Sequence, residues 1–295
     1  MKKFLYSLTM VLGSVIVLLY AMDYLFTCVY ETSQPRNKFQ YILKLKPQTI
    51  DYVFLGSSRV ANHIATKEVE QLTGRKAINL GMEGAHLEDN LLQLKLLLHQ
   101  GVKIKKLFLQ VDYQFEDEGR SPIALSDAMP FIKHPVVKEH MQSINTPDFE
   151  ANYYVPFYRY MMAAPKIGFR EFFFASINKQ PKIDPGEGFT PKTGNHSFGK
   201  YALPSSISET NAALEGIKKI CKDHQIEVVF FCAPFCSVTE NKEYIRELKT
   251  KLPELKDYSA GYEDELFYDC AHLNEKGALF FTRQLVTNEL LNEEQ

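Results

Sequence analysis

Two short segments carry side-chain types that could perform nucleophilic catalysis. Residues 56–59 read Gly-Ser-Ser-Arg, and residues 269–272 read Asp-Cys-Ala-His. A serine hydroxyl becomes a nucleophile only when a base takes its proton, and that base needs a third group to fix its tautomer. An aspartate three residues before a histidine can supply the base and its orienting acid from one loop. We therefore predict a catalytic triad of Ser58, Asp269 and His272.

Strands and helices must bring these distant segments together. The apolar run 50–55 predicts a buried strand that ends at the serine turn. Because further strands and helices alternate, we expect a parallel sheet flanked by helices, with the active site at the carboxyl ends of its strands. Ser58 and the exit of the strand at 107–111 both meet that requirement. The other predicted elements are strands at 77–80 and 228–231 and helices at 66–72 (capped by Thr66), 87–100, from Ser206 or Ser208, and 275–291.

At these residues the chain resembles the SGNH, or GDSL-like, hydrolase superfamily. Ser58 matches the nucleophile of the first block, and residues 269–272 match the last block. Residues 79–84, Asn-Leu-Gly-Met-Glu-Gly, are similar to the second block, in which Gly84 is the better match for the oxyanion glycine and Gly81 the alternative. The resemblance implies a three-layer, flavodoxin-like fold with a central parallel sheet. It also implies an oxyanion hole formed by the backbone N–H groups of Ser58 and Gly84.

The third block of the family, Gly-x-Asn-Asp, is absent. Its asparagine helps to bind the oxyanion, whereas here the strand 107–111 runs directly into Asp112. A carboxylate at that place would repel an oxyanion unless it is protonated or turned away, and the loss of one donor typically costs about 10²–10³ in rate. For Arg59, a structural ion pair is favoured over contact with an anionic substrate. The further candidates for the pocket are Ser57, Arg59, Asn79, Gly81 and Asp112.

Other histidines and the cysteines offer alternatives. His86 is a weaker candidate for the catalytic base, and His63 also closely follows the serine turn. No spacing of ligand residues predicts a metal site, and no cofactor is predicted. His134, His140 and His196 are interpreted as surface or structural residues. The chain has five cysteines; buried thiols are favoured, while a disulfide between two of Cys221, Cys232, Cys236 and Cys270 is the alternative.

The N-terminus predicts a membrane location. Lys2 and Lys3 precede an apolar run, residues 4–22, that is 19 residues long. This length suits a helix across a bilayer core, and the leading lysines predict a cytosolic N-terminus with the remainder outside. An uncleaved anchor is favoured over a cleaved signal peptide. The predicted organisation is an anchor and flank at 1–31, a juxtamembrane spacer at 32–48, and one α/β domain at 49–295 with a mostly helical insert at 114–204.

Composition narrows the classes of function. With 34 basic and 36 acidic residues the net charge is −2, so nucleic acid is not an expected partner. No Gly-x-Gly-x-x-Gly follows the first strand, which argues against dinucleotide binding. The insert is rich in aromatic residues, which favours helices packed over the sheet; a lid, an acceptor-binding wall or a membrane-docking surface are the alternatives.

The Gly-Ser-Ser variant is similar to membrane-anchored members of the superfamily that act in D-alanyl transfer to teichoic acids and in polysaccharide O-acetylation. The resemblance implies a serine-dependent O-acyl esterase or O-acyltransferase on acylated cell-envelope polysaccharide, in the bacterial periplasm or at the cell surface. It also implies a multi-span membrane acyltransferase as a partner. The alternative is a non-catalytic, membrane-anchored scaffold or glycan-binding protein that partners such an enzyme.

Overall fold

A computed structural model of the chain describes residues 1–195 and 199–292. Within these residues, five parallel strands form a sheet in the order β2-β1-β3-β4-β5. A separate antiparallel pair, β6 and β7, carries the 269–272 segment. The α/β class and the central parallel sheet are thus as predicted. The strands are β1 (Gln48–Leu55), β2 (Ala77–Asn79), β3 (Val102–Gln110), β4 (Glu227–Cys232), β5 (Lys256–Asp257), β6 (Phe267–Asp269) and β7 (His272–Leu273).

Helices precede, cover and interrupt this sheet. Those of the N-terminal and sheet-covering parts are α1 (Lys2–Thr32), α2 (Lys38–Leu43), α3 (Ser58–His63), α4 (Thr66–Thr73), α5 (Leu87–His99), α12 (Ala212–Asp223), α13 (Glu243–Lys251) and α14 (Glu275–Val286). Between β3 and α12 the insert holds α6 (Pro122–Ala128), α7 (Pro135–Ser143), α8 (Phe149–Tyr154), α9 (Tyr158–Met162), α10 (Ala164–Ile167) and α11 (Phe169–Ser176).

Alternating side chains on the strands build a core on each face of the sheet. Val53 and Leu55 are buried in the cluster that contains α5, α12 and most of the insert. Phe54 points to the opposite face, where it stacks on Phe108 with ring centroids 4.7 Å apart and joins a cluster with Phe281 of α14. The period of two residues therefore places one helical layer on each side of the sheet.

Two predicted helix starts are wrong. Ala65, not Thr66, occupies the N-cap of α4, and the Thr66 hydroxyl donates to the Glu187 carbonyl at 2.8 Å. The helix expected from Ser206 or Ser208 begins at Ala212, because the Asn211 side chain caps it by accepting from the Leu214 N–H at 3.0 Å. Ser208 instead hydrogen-bonds Glu116 with its backbone N–H and its hydroxyl.

The N-terminal helix α1 is long and apolar enough to cross a membrane. Its most apolar 18-residue window has a mean hydropathy of 2.1 and is not buried by the rest of the chain. A helix with these properties could be a membrane anchor or a signal sequence.

The segment predicted as a spacer, 32–48, is folded onto the domain. It contains α2, in which Phe39 and Ile42 are fully buried. Gln40 is buried as well, and its amide donates to the Tyr30 carbonyl at 2.7 Å. These apolar residues draw the segment into the larger core, so it is not an extended linker.

Candidate active site

The two segments singled out by their chemistry meet at one edge of the sheet. Ser58 is the first residue of α3, directly after the β1 turn, and its Oγ lies 2.8 Å from Nε2 of His272. His272 Nδ1 lies 2.9 Å and 3.1 Å from the two carboxylate oxygens of Asp269. Because a carboxylate only accepts hydrogen bonds, the proton of the neutral imidazole belongs on Nδ1, which leaves Nε2 free to accept from the serine hydroxyl.

The Asp269 loop is arranged to keep its carboxylate charged. Oδ1 accepts from the backbone N–H groups of Ala271 and His272, each at 2.9 Å, besides the imidazole. Burial by itself would raise the pKa of Asp269, but these hydrogen bonds and the charge of His272 outweigh it and hold the pKa below its ordinary value. The acid is therefore ionised and oriented at neutral pH.

A glutamine that the sequence analysis missed fixes the serine turn. Gln110, the last residue of β3, accepts at Oε1 from both the backbone N–H and the hydroxyl of Ser57, each at 2.9 Å. Ser57 in turn accepts from the Arg59 N–H at 3.2 Å and so caps α3. Ser57 thus positions its neighbour rather than facing the imidazole. The available signal in the sequence was a polar residue that directly follows the apolar run 107–109.

Arg59 and Asp112 form a buried ion pair behind the serine. Arg59 Nη1 lies 2.5 Å from Asp112 Oδ2, and both side chains are fully buried. Nη2 donates to the carbonyls of Ala233 and Pro234 at 2.7 Å and 2.6 Å. The guanidinium also lies over the Phe235 ring, 3.6 Å from its centroid. The favoured structural role of Arg59 agrees with this arrangement, and the Asp112 carboxylate is turned toward a cation.

The two glycines of the second block differ in their surroundings. Gly81 packs against the serine turn so closely that a Cβ there would lie 2.9 Å from the Ser57 carbonyl oxygen, and its N–H donates to Asn79 Oδ1 at 2.9 Å. Gly84 has a φ of +59°, which side-chain-bearing residues rarely adopt. Over residues 1–195 and 199–292, the N–H groups of Gly84 and Ser58 have no hydrogen-bond acceptor. The backbone N–H of Gly84 is therefore free to donate to an oxyanion, whereas the N–H of Gly81 already donates to Asn79.

Asn79 clamps the second block to the first. Its amide donates to the carbonyls of Val60 and Ile64, each at 2.8 Å, while its Oδ1 accepts from Gly81. Asn79 is fully buried. It therefore supports the turn that carries Ser58 and does not face a pocket.

The two nearby histidines have separate roles. His63 is fully buried, and its Nε2 accepts from the Leu273 N–H at 3.0 Å. Burial lowers the pKa of His63 well below its ordinary value, so it is neutral and holds the residue after His272 in place. His86 faces the Gly119 carbonyl at 3.3 Å and Asp117 at 3.9 Å, and among the described contacts none joins it to Ser58.

A disulfide ties the acid–base loop to the exit of β4. Cys270, between Asp269 and Ala271, is bonded to Cys236. The buried-thiol interpretation fits Cys221 and Cys232, which are free and buried, but it is wrong for Cys236 and Cys270, for which the disulfide alternative holds. The same loop after β4 supplies the carbonyls that hold Arg59, so the disulfide links both halves of the site.

The remaining histidines of the insert form other contacts. His134 packs edge-on against His99, with ring centroids 5.0 Å apart, and burial lowers the pKa of His140 to about 3. His196 lies outside the described residues. In the parts of the chain that the structure describes, no group of three or more metal-ligating side chains is close enough to hold an ion.

A cavity of about 230 Å³ lies beside the serine helix. Ala61 and Asn62 of α3 line it together with the second-block residues 81–83, and Lys38 and Lys192 add polar groups. Asn62 also donates to the Ser58 carbonyl at 2.6 Å. The triad side chains are not part of this lining, which reaches the serine helix only through Ala61 and Asn62.

Comparison with known proteins finds a distant structural likeness and no match by sequence. No family model and no curated protein matches the chain. Among solved structures, it is similar to a Streptococcus pneumoniae protein described as a candidate platelet activating factor. The sequence identity is 11% and the TM-score 0.41, over 96% of this chain and 98% of that one.

Proposed function

We propose that this protein is a serine-dependent O-acyl esterase or O-acyltransferase that acts on acylated cell-envelope polysaccharide. One observation carries the proposal: an unbroken hydrogen-bond chain from Ser58 Oγ through His272 to Asp269, with heavy-atom distances of 2.8 Å and 2.9 Å. These distances are within the reach that a nucleophile, its base and an orienting acid require.

In the proposed reaction, His272 takes the proton of Ser58 as its oxygen attacks an ester carbonyl. Asp269 stabilises the imidazolium that forms. The backbone N–H groups of Ser58 and Gly84 receive the oxyanion, and the imidazolium returns its proton to the departing alcohol. Water or a sugar hydroxyl, deprotonated by His272, then releases the acyl group from the serine. Water makes the protein an esterase; a sugar hydroxyl makes it a transferase.

The topology supports an SGNH-type site. The strand order 2-1-3-4-5 is that of flavodoxin-like sheets, in which ligands bind where the connections from neighbouring strands diverge. In this chain that point lies between β1 and β3. Ser58 follows β1, Gln110 is the last residue of β3, and Asp112 lies two residues further on. The cavity combines apolar lining residues with lysine and asparagine side chains, which could hydrogen-bond the hydroxyl groups of a sugar.

The proposed setting follows from α1. With Lys2 and Lys3 before the apolar stretch, an inserted α1 places the catalytic domain outside the cytoplasm. A transferase in that position needs an acyl donor from across the membrane. We propose a multi-span acyltransferase as its source.

A non-catalytic scaffold or glycan-binding protein is the second candidate. The observation that favours it is Asp112, which stands where the superfamily carries an oxyanion-binding asparagine and is instead paired with Arg59. The oxyanion hole would then contain only backbone N–H donors.

Labelling with a fluorophosphonate probe tests the proposal. The full-length protein in detergent is compared with Ser58→Ala, and with Ser57→Ala as the matched control, because the Ser57 hydroxyl is held by Gln110 and not by the base. We expect labelling of the wild type, slower labelling of Ser57→Ala, because the serine turn loses its hydroxyl contact with Gln110, and no labelling of Ser58→Ala. A folded wild type that is not labelled would overturn the enzyme proposal in favour of the scaffold. Labelled protein is then assayed for acetate release from acetylated glycans, with and without acceptor sugars.

A further inference from the structure

The end of α1 is packed into the insert. Asp23 accepts hydrogen bonds from Nη2 of Arg159 and from the Phe157 N–H, each at 2.9 Å, and its Oδ2 lies 2.8 Å from Nη1 of Arg159. Both charged residues are buried. One turn further on, Phe26 stacks on Phe172 with ring centroids 4.0 Å apart. Because a two-point ion pair and a stacked ring join them, α1 and the insert are held in one orientation.

Around this junction the insert exposes large apolar side chains, which we call the collar. Phe169 shows how the collar meets α1: its ring is 64% exposed, yet its centroid lies 5.2 Å from that of Phe26. Surface apolar residues clustered in this way mark an interaction site. The collar consists of Tyr154, Val155, Met161, Met162, Phe169, Phe173 and Ile177, which are 46–67% exposed.

Exposed cations stand among these apolar residues. Lys166 and Arg170 are both exposed between collar positions, and Lys179 follows close behind with its amine 4.0 Å from the Phe174 centroid. Glu171, within the same stretch, is paired with Arg36. Aromatic side chains together with lysine and arginine are typical of surfaces that lie in the headgroup region of a bilayer.

The position of the collar along α1 matches a membrane boundary. At 31 residues α1 is about 46 Å long, whereas a bilayer hydrocarbon core takes up about 20 helical residues. Residues 2–18 are exposed throughout, and α1 becomes buried on one face at Asp23. The collar therefore lies beside α1 at the level where an inserted helix would leave the hydrocarbon.

We propose that the collar rests in the headgroup and upper acyl region of the bilayer that α1 crosses. The lipid bilayer, and not a partner protein, is its ligand. Because the bilayer contacts both α1 and the collar, it fixes the height and tilt of the domain above the membrane. The proposal does not depend on the chemistry of Ser58.

Tryptophan quenching tests this directly, because the chain contains no tryptophan. Single-tryptophan forms of the full-length protein are reconstituted in vesicles of phosphatidylcholine with or without bromine on the acyl chains. Phe173→Trp and Met162→Trp report on the collar. Phe280→Trp is the matched control, since Phe280 is 51% exposed on α14, on the other face of the sheet. Leu12→Trp reports on insertion of α1.

We expect brominated lipid to quench Leu12→Trp and both collar variants at least twofold, and to leave Phe280→Trp unchanged. Quenching of Leu12→Trp alone would overturn the proposal, and would assign the collar to a protein partner absent from these vesicles. No quenching of Leu12→Trp would overturn it as well, because α1 would then not lie in the bilayer.

Discussion

Replacing Asp112 with asparagine should destabilise the domain strongly, although the two side chains have nearly the same shape. Asp112 and Arg59 are both fully buried, so the variant leaves a guanidinium without its counter-charge in the core. Arg59 would keep its hydrogen bonds to the carbonyls of Ala233 and Pro234. Breaking a buried pair on one side typically costs about 3–5 kcal/mol. At about 2–4 °C per kcal/mol for a domain of this size, we expect a fall in Tm of about 6–20 °C.

Thermal unfolding of the full-length protein in detergent, followed by circular dichroism, measures this shift. Asp51→Asn is the matched control, because Asp51 pairs with Lys105 at the surface, where the lysine side chain is 55% exposed. An exposed pair contributes at most about 1 kcal/mol, so this variant should lose no more than about 4 °C. If Asp112→Asn loses no more than Asp51→Asn, Asp112 is not a buried counter-ion, and our explanation for the missing oxyanion asparagine fails.

Three further predictions concern the acid–base loop. Asp269→Asn should lower the rate of fluorophosphonate labelling by about 10⁴, because the imidazole loses the partner that fixes its tautomer; a loss below tenfold would contradict a triad. The folded-state pKa of Asp269 is depressed, so its stabilising contribution is present above the unfolded value, about 3.9, and is lost as pH falls through the folded value. Between pH 5 and pH 3 the Tm of the wild type should therefore fall further than the Tm of Asp269→Asn. Equal falls in Tm would refute the pKa shift. Finally, the Cys236–Cys270 disulfide closes a loop with a sequence separation of 34, so Cys236→Ser should cost about 3–4 kcal/mol of stability. The same unfolding measurement, with Cys221→Ser as the control, checks this; equal Tm values for the two variants would mean that the disulfide does not form.

The sequence was informative where chemistry is local. The serine turn follows its strand directly, and the aspartate and histidine share one loop, so residue types and spacing were enough to predict that these groups would be joined. The apolar run 50–55 likewise predicted the buried strand β1.

Contacts between distant parts of the chain could not be predicted in the same way. Gln110 reaches Ser57 across 53 positions, and Asp23 reaches Arg159 across 136. Nothing adjacent to either residue indicates its partner. The packing of residues 32–48 could not be predicted for the same reason: the polar composition of this segment concealed Phe39 and Ile42, whose burial depends on a core built by the rest of the chain.

The separation between Ser58 and His272 has a consequence for how reactivity arises during folding. The two residues are 214 positions apart, and the base reaches the hydroxyl only after β4 and α14 have joined the strands on which the serine stands. Closing so long a loop costs entropy that late contacts must repay. A chain that has folded only β1 to β3 would carry Ser58 without its base. Cleavage by a protease between the two segments, if the fragments then separate, would also leave Ser58 without His272. Reactivity of Ser58 toward a fluorophosphonate would then report the completed fold, since an incomplete or damaged chain would remain chemically silent.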